Sequence, residues 1–477
     1  MPKTTVAEID APELKELVSR KWDEDIVPQL VEYIRIPCKS PHFDAEWAAN
    51  GHIDAAVTLA EQWSRDQTIP GLKIEVVRLE GRTPVLFFEI DGEAPGTVLM
   101  YGHLDKQPEM TGWHDGFGPW LPVLHEGKLY GRGGADDGYA IFASLLALSA
   151  LTEQGVAHAR IVGLIETCEE SGSYDLPHYL DALKSRIGDV DLVIGLDSGC
   201  GNYEQLWVTT SLRGMAAGTL TVEVLREGVH SGDASGIVPS SFRIARLLLD
   251  RIEEVGSGHI LPNEFYCEIP AERSEQAILA GKTLDDPMLT RFPFADKTEP
   301  MTKNHGEAVL NRTWRPFLSV VGADGLPAIK DAGNVLRPKT ALKLSLRLPP
   351  LVDGQRAAHD LKRILEADPP ANATVTFEPD QAATGWHAPP TATWLKEVVD
   401  AASKQFFGKP AMMMGEGGTI PFMAMLGDSF PDAQFLITGV LGPKSNAHGP
   451  NEFLHIAYAK KLTACVAQVI ARHAVRN

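Results

Sequence analysis

Cysteine is scarce and poorly placed for cross-linking: the 477 residues hold five (Cys38, Cys168, Cys200, Cys267 and Cys465), odd in number, scattered and never spaced Cys-x-x-Cys. That argues against a disulfide framework and a Cys-rich structural zinc site, and it suits a reducing cytoplasm. Long apolar runs are missing, since nowhere do the roughly 18 uncharged apolar residues of a membrane-spanning helix occur together. Met1 to Asp10 has no basic segment leading into an apolar one, so a soluble, unexported chain is expected. Positive charge is in deficit: 44 Lys and Arg stand against 63 Asp and Glu, a formal net charge of -19. Such a surface repels phosphate backbones and anionic lipid, which argues against nucleic acid and membranes and leaves small molecules or peptides as partners. Gly-x-Gly-x-x-Gly is absent, and the one Gly-rich helix entry ends in acids instead of Lys-Ser/Thr.

What is present divides into two patterns. The length exceeds one hydrophobic core and suggests two domains. Apolar strands at Leu72 to Leu79, Val85 to Ile90, Val98 to His103, Arg160 to Glu166 and Asp191 to Leu196, spaced by helices such as Tyr139 to Glu153, predict an α/β fold with a mostly parallel sheet. From Arg213 the pattern becomes one of alternation, at Leu220, Val222 and Val224 and again at Leu342, Leu344, Leu346 and Leu348. That predicts an α+β unit with one wet sheet face, with an irregular stretch from about Gly256 to Pro316. After Trp386 the α/β character returns with helix Ala392 to Phe406, strand Gln434 to Val440 and helix Ile456 to Val475. The expected organisation is a catalytic domain over 1–212 and 383–477, interrupted by a lid domain over 213–382.

The chain is organised around Val98 to Pro108, an apolar strand stopping at His103 and Asp105. Alternate residues of a strand share a face, so a ligand and its orienter leave the strand together. Acids gather at equivalent places: Asp136 and Asp137 open a helix, Glu169 and Glu170 follow one strand, and Asp197 follows another. The carboxyl edge of an α/β sheet is where ligands bind. Carboxylates converging there repel one another unless a cation lies between them, and His448, held in a turn by Gly449 and Pro450, supplies a second imidazole. Two imidazoles and three carboxylates are the donor set for two zinc-like ions sharing one carboxylate. Water held by two such ions is a nucleophile near neutral pH, and Glu169, a spare acid beside a ligand, is placed to move its proton. The expected chemistry is amide hydrolysis.

These segments also resemble a known family. Gly102-His103-Leu-Asp105, Tyr130-Gly-Arg-Gly-Gly-Ala-Asp136-Asp137, Glu169-Glu170-Ser-Gly-Ser173, Asp197-Ser-Gly and His448-Gly-Pro-Asn-Glu452 are similar to the successive motifs of the dizinc metallopeptidases, the family of carnosinase and related cytosolic dipeptidases, glutamate-releasing carboxypeptidase, aminoacylase and acetylornithine deacetylase. The resemblance implies Asp136 as the bridging ligand, a choice spacing alone leaves open, with His103 and Asp197 on one ion and Glu170 and His448 on the other. It implies Glu169 as general base, Asp105 as orienter of His103, and a cis peptide after Asp136. Gly228-Val-His230-Ser-Gly-Asp233 resembles the segment whose histidine reaches the tetrahedral intermediate, sometimes from the partner of a homodimer formed through the lid. Asn334, Arg347 and Gly417-Gly418-Thr419 resemble substrate-binding positions. The resemblance implies two Zn2+ per chain, with Mn2+ or Co2+ as alternatives.

Two departures stand out: Gly138 replaces a usual lysine, and Gly415 replaces an arginine common before the Glu-Gly-Gly turn of dipeptidases. The leading expectation is cleavage of dipeptides or C-terminal amino acids by a hydroxide bridging the two metals. An N-acyl amino acid hydrolase using the same site is the alternative, and an inactive binding protein a remote one.

Overall fold

A computed structural model describes residues 8–476, so the leader reading at residues 1–7 lies outside it. The strands that matter are, in chain order, β1 (Lys73–Val77), β2 (Val85–Ile90), β3 (Ala94–His103), β4 (Ala159–Glu166), β5 (Leu192–Gly195), β6 (Trp207–Leu212), β7 (Gly214–Glu223), β8 (Phe317–Asp324), β9 (Lys339–Leu348), β10 (Thr374–Ala383), β11 (Met412–Glu416) and β12 (Gln434–Ile437).

The central sheet runs β1-β2-β4-β3-β5-β12. β3 lies parallel to β4 and β5, and β12 parallel to β5, while β1 and β2 form an antiparallel edge. The strands read as continuous apolar runs because both faces are covered. Leu86, Phe88, Val98, Met100, Ile161 and Ile194 enter one core, and Phe87, Leu99, Tyr101, Val162, Leu164 and Val193 enter the other. Helix Tyr139–Glu153 is buried from Tyr139 to Leu151, with no polar face, and packs in the first core with the C-terminal helix Ile456–Ala474. The α/β expectation is therefore met.

The second sheet, β8-β9-β7-β10, is antiparallel. Leu342, Leu344, Leu346 and Leu348 of β9 point into a separate core with helices Ser241–Leu249 and Gly354–Glu366, which leaves Lys343, Ser345 and Arg347 on the opposite face. β6 and β11 pair in parallel beside this unit.

The stretch from Gly256 to Pro316 corrects the expectation of irregular structure, because it contains helices Ala271–Leu284, Pro287–Thr290 and His305–Thr313. Their buried residues Ala277, Ala280, Leu284, Val309 and Leu310 join Trp207, Met412 and Met414 in the core of the central sheet. Small alanines on the buried face and a buried Arg273 obscure the helical period. Helices Ala11–Lys21 and Val27–Arg35 are joined through the wide turn Trp22–Ile26, and Pro28 sits in the first turn of the second, where a missing N–H costs little.

Candidate metal centre and active site

Parallel pairing puts the carboxyl ends of β3, β4 and β5 at one edge, and the candidate residues follow those ends. His103 ends β3, Glu169 and Glu170 lie in a short helical turn after β4, and Asp197 lies two residues beyond β5. Asp136 sits in the buried loop before helix Tyr139–Glu153, with a cis peptide to Asp137. His448 lies in a turn at φ 64°, reaching the same edge from the C-terminal segment.

Two three-residue groups form there, each with its donor atoms within 4.8 Å of one another: His103, Asp136 and Asp197, and Asp136, Glu170 and His448. Asp136 belongs to both. Its Oδ1 lies 3.6 Å from His103 Nε2 and its Oδ2 3.1 Å from His448 Nε2. His103 Nε2 is also 3.8 Å from Asp197 Oδ2 and 4.0 Å from Glu169 Oε2, and His448 Nε2 is 3.4 Å from Glu170 Oε2. His103 Nε2, Asp136 Oδ2 and Glu170 Oε1 are buried without a hydrogen-bond partner. Buried polar atoms rarely stay unpaired, and mixed N and O donors aimed at common points fit divalent cations.

Electrostatics give the same reading. Burial, then neighbouring carboxylates, push Glu170 up to about 8 and Asp197 up to about 7, and raise Glu169 well above the carboxylate range. Burial opposes charge on His103 and His448, but Asp105 and Asp136 at the first and Asp136 at the second outweigh it, raising His103 and bringing His448 to about 9. Burial opposes charge on Asp136 too, yet the two imidazoles hold it far below its usual range. Acids crowded this closely share protons with the imidazoles or share a cation.

Around this centre several residues act through others. The Asp105 carboxylate lies 3.4 Å from His103 Nδ1, which also meets the Asp105 carbonyl O at 3.1 Å, and its two oxygens accept the backbone N–H groups of Glu169 and Glu170 at 3.1 and 3.0 Å. Gln107 Nε2 donates to Glu170 Oε2 at 2.6 Å. The His448 turn is tied to the Asp136 loop by the buried pair Arg132 and Glu452: Arg132 Nη2 donates to Gly449 O at 2.8 Å, and Glu452 Oε1 accepts from Gly133 N at 2.8 Å. Sequence reasoning gave no role to Gln107 or Arg132; Arg132 inside a glycine loop was the available signal.

The substrate-side candidates divide into two places. Arg347 Nη1 donates to Thr419 Oγ1 at 3.1 Å, Thr419 Oγ1 donates to Arg213 O at 2.7 Å, and Arg213 Nε donates to Gly417 O at 3.2 Å. Gly418 lies in the same turn, which Glu416 connects to the metal edge: a Cβ on Gly199 would lie 3.0 Å from Glu416 Oε1. His230 and Asn334 are not brought to this centre. Both are exposed on the second sheet's unit, where Ser231 N donates to Asn334 O at 2.9 Å. Both departures noted in the sequence have a steric basis. A Cβ on Gly138 would lie 2.1 Å from Tyr33 Cε1, and one on Gly415 would lie 2.4 Å from Ser211 Oγ.

Comparison with known proteins identifies the family and the fold. Cysteinylglycine-S-conjugate dipeptidase of Corynebacterium striatum is 26% identical over 391 residues, covering 77% of this chain and 80% of its own. Beta-Ala-His dipeptidase of Homo sapiens is 28% identical over 357 residues, covering 72% and 68%. The crystal structure of human carnosine dipeptidase 1 superposes with a TM-score of 0.75 at 21% identity, covering 98% of this chain and 100% of that one. Dipeptidase Dug1p from Saccharomyces cerevisiae superposes at 0.74 and 20% identity, covering 98% and 99%. The model of Peptidase family M20/M25/M40 matches residues 99–472, from the central strand to the last helix, and the chain belongs to that family.

Proposed function

We propose that the protein hydrolyses the amide bond of dipeptides or C-terminal amino acids with two divalent metal ions, zinc first among them. The observation that carries this reading is the pair of donor groups sharing Asp136, with unpartnered buried atoms on His103, Asp136 and Glu170 facing inward. The dipeptidases among its relatives support the substrate class. In this reading His103 and Asp197 hold one ion, Glu170 and His448 the other, and Asp136 both. Bound there, such ions polarise the scissile carbonyl and lower the pKa of water from about 15.7 toward 7.

The chain's own residues do the rest. Glu169, largely buried and raised by burial and then by Asp197, accepts the proton of the attacking water and returns it to the leaving amine. Asp105 fixes the backbone of Glu169 as well as the ring of His103, so base and ligand move as one unit. Arg347, Gly417, Gly418 and Thr419 hold the carboxylate end of the substrate. His230 and Asn334, exposed on the second sheet's unit, are assigned to a site completed by a second copy of the chain through a lid-mediated homodimer. The lid boundaries 213–382 stand as part of this proposal, amended by the helices of 271–313 that pack on the central core.

No helix among the described residues is long and apolar enough to cross a membrane, and all five cysteines are free, which supports a cytoplasmic setting. N-acyl amino acid hydrolysis is the second reading, favoured by Gly415, whose packing against Ser211 and Thr313 leaves no room for an arginine.

Metal counting tests the site. Two zinc ions per chain are expected after reconstitution and dialysis, falling to none in Asp136→Ala and to about one in His448→Ala. Two ions retained in Asp136→Ala would remove it as the shared ligand.

A further inference from the structure

One buried lysine has no part in the chemistry described so far. Lys106 follows Asp105, is fully buried, and carries its ammonium to the C-terminal end of helix Val27–Arg35. There Nζ donates to Tyr33 O at 2.8 Å, Ile34 O at 3.4 Å and Ile36 O at 2.8 Å, and it lies 3.9 Å from the centre of the Tyr33 ring. Helix ends leave carbonyls without partners, an ammonium has three N–H donors to give them, and positive charge is favoured at that end of the helix dipole. Burial lowers Lys106 to about 8 and Cys38, then Glu452, oppose the fall, so the ammonium is the major form at neutral pH.

The same helix end supports the loop that carries Asp136. A Cβ on Gly131 would lie 2.4 Å from Ile34 Cγ2, one on Gly133 2.5 Å from Lys106 Cε, and one on Gly138 2.1 Å from Tyr33 Cε1. The glycine backbone therefore rests directly on Ile34, Tyr33 and the lysine stem. The strand side is tied down as well: Tyr33 Oη donates to Leu104 O at 2.9 Å, Lys106 N donates to Cys38 O at 3.0 Å, and Ser40 N donates to Lys106 O at 2.9 Å. We propose that Lys106 is a positioning residue of the metal centre, holding the His103 to Asp105 segment and the Asp136 loop at a fixed separation by pinning both to the end of helix Val27–Arg35. The proposal rests on the dimetal reading above. Its backbone belongs to the first segment and its stem lies against the second, so the 3.6 Å between His103 Nε2 and Asp136 Oδ1 is set across this one side chain. Asp136 belongs to both donor groups, and a shift of its loop disturbs both ions at once.

The test is Lys106→Met, which keeps a stem of similar reach and removes the ammonium. Its zinc affinity, read by competition with a chelating dye, is expected to fall about 10- to 100-fold, and the visible spectrum of the cobalt-loaded protein should change in band position or intensity. A folded Lys106→Met with natural zinc affinity and an unchanged cobalt spectrum overturns the proposal, even where its denaturation midpoint falls, since the lysine is then a helix cap alone. Should Lys106→Met fail to fold, Lys106→Gln, which retains an N–H donor, replaces it in the same comparison. If the natural protein takes up no metal, the dimetal reading fails, and hydrogen exchange of the metal-free proteins decides the inference. Faster exchange in the variant is then expected in both 36–40 and 131–137, the two segments the lysine joins. Acceleration confined to 36–40, or none, counts against it.

Discussion

At the scale of single residues, the division between Glu169 and Glu170 shows how one strand end serves two purposes. Adjacent in sequence, they share Asp105 as the acceptor of their backbone N–H groups, yet only Glu170 lies within 3.4 Å of His448. Glu169→Gln, which keeps the shape and removes the proton acceptor, is expected to bind metal as before and to lose about a hundred- to ten-thousandfold in kcat. Turnover within threefold of the natural protein would remove Glu169 as the base. Asp105→Asn should lower both metal affinity and kcat, because it disturbs the His103 ring and the turn carrying both glutamates. An effect on kcat alone would contradict the first of these links, the one to the metal ligand His103.

The donor residues were legible because each ends or follows a strand, opens a helix or, for His448, sits in a Gly-Pro turn, in a short motif of fixed order. Gln107 and Arg213 were not, because their partners lie 63 and 204 positions away and only folding sets their distance.

At the scale of elements, the Arg132 to Glu452 pair joins the loop that carries Asp136 to the turn that carries His448. Both side chains are buried, so removing one strands the other's charge, at a cost of about 3–5 kcal/mol. Arg132→Met is therefore expected to lower the unfolding free energy by that order and to weaken divalent-metal binding about 10- to 100-fold, read by denaturant titration and by competition with a chelating dye. Metal binding equal to that of the natural protein would show that the His448 turn holds its place without the clamp. Gly138 gives a second expectation: Gly138→Lys, which writes the commoner family pattern, should destabilise by about 1–3 kcal/mol, because its Cβ meets the Tyr33 ring. Strands were readable wherever both faces of the sheet are covered or one face alternates. The helices Ala271–Leu284 and His305–Thr313 were not, since the first buries Arg273 beside small Ala277, Ala280 and Gly281, and the second is nine residues long with only Val309 and Leu310 as large apolar residues on its buried face.

For the whole molecule, acid stability depends on histidines kept neutral by burial. His473 in the C-terminal helix is fully buried with both ring nitrogens unpartnered, and burial, then Arg476, lowers it to about 4. His387 is lowered likewise to about 4 by burial and then by Arg273. The unfolded chain protonates each near 6.5, so stability is complete above that pH and is lost as pH falls toward 4. His473→Leu should remove on the order of 2–3 kcal/mol of that acid loss, seen as a flatter dependence of the denaturation midpoint between those pH values. An unchanged slope would place the acid sensitivity elsewhere.

The central claim, that this edge of the sheet is a dimetal amide hydrolase, is tested most directly by amine release from dipeptides, longer peptides and N-acyl amino acids, with zinc-loaded and chelated protein side by side. Release from dipeptides that the chelator abolishes and added zinc restores is expected. Release indifferent to the chelator, or none from any substrate by protein shown to hold two metal ions, would contradict it.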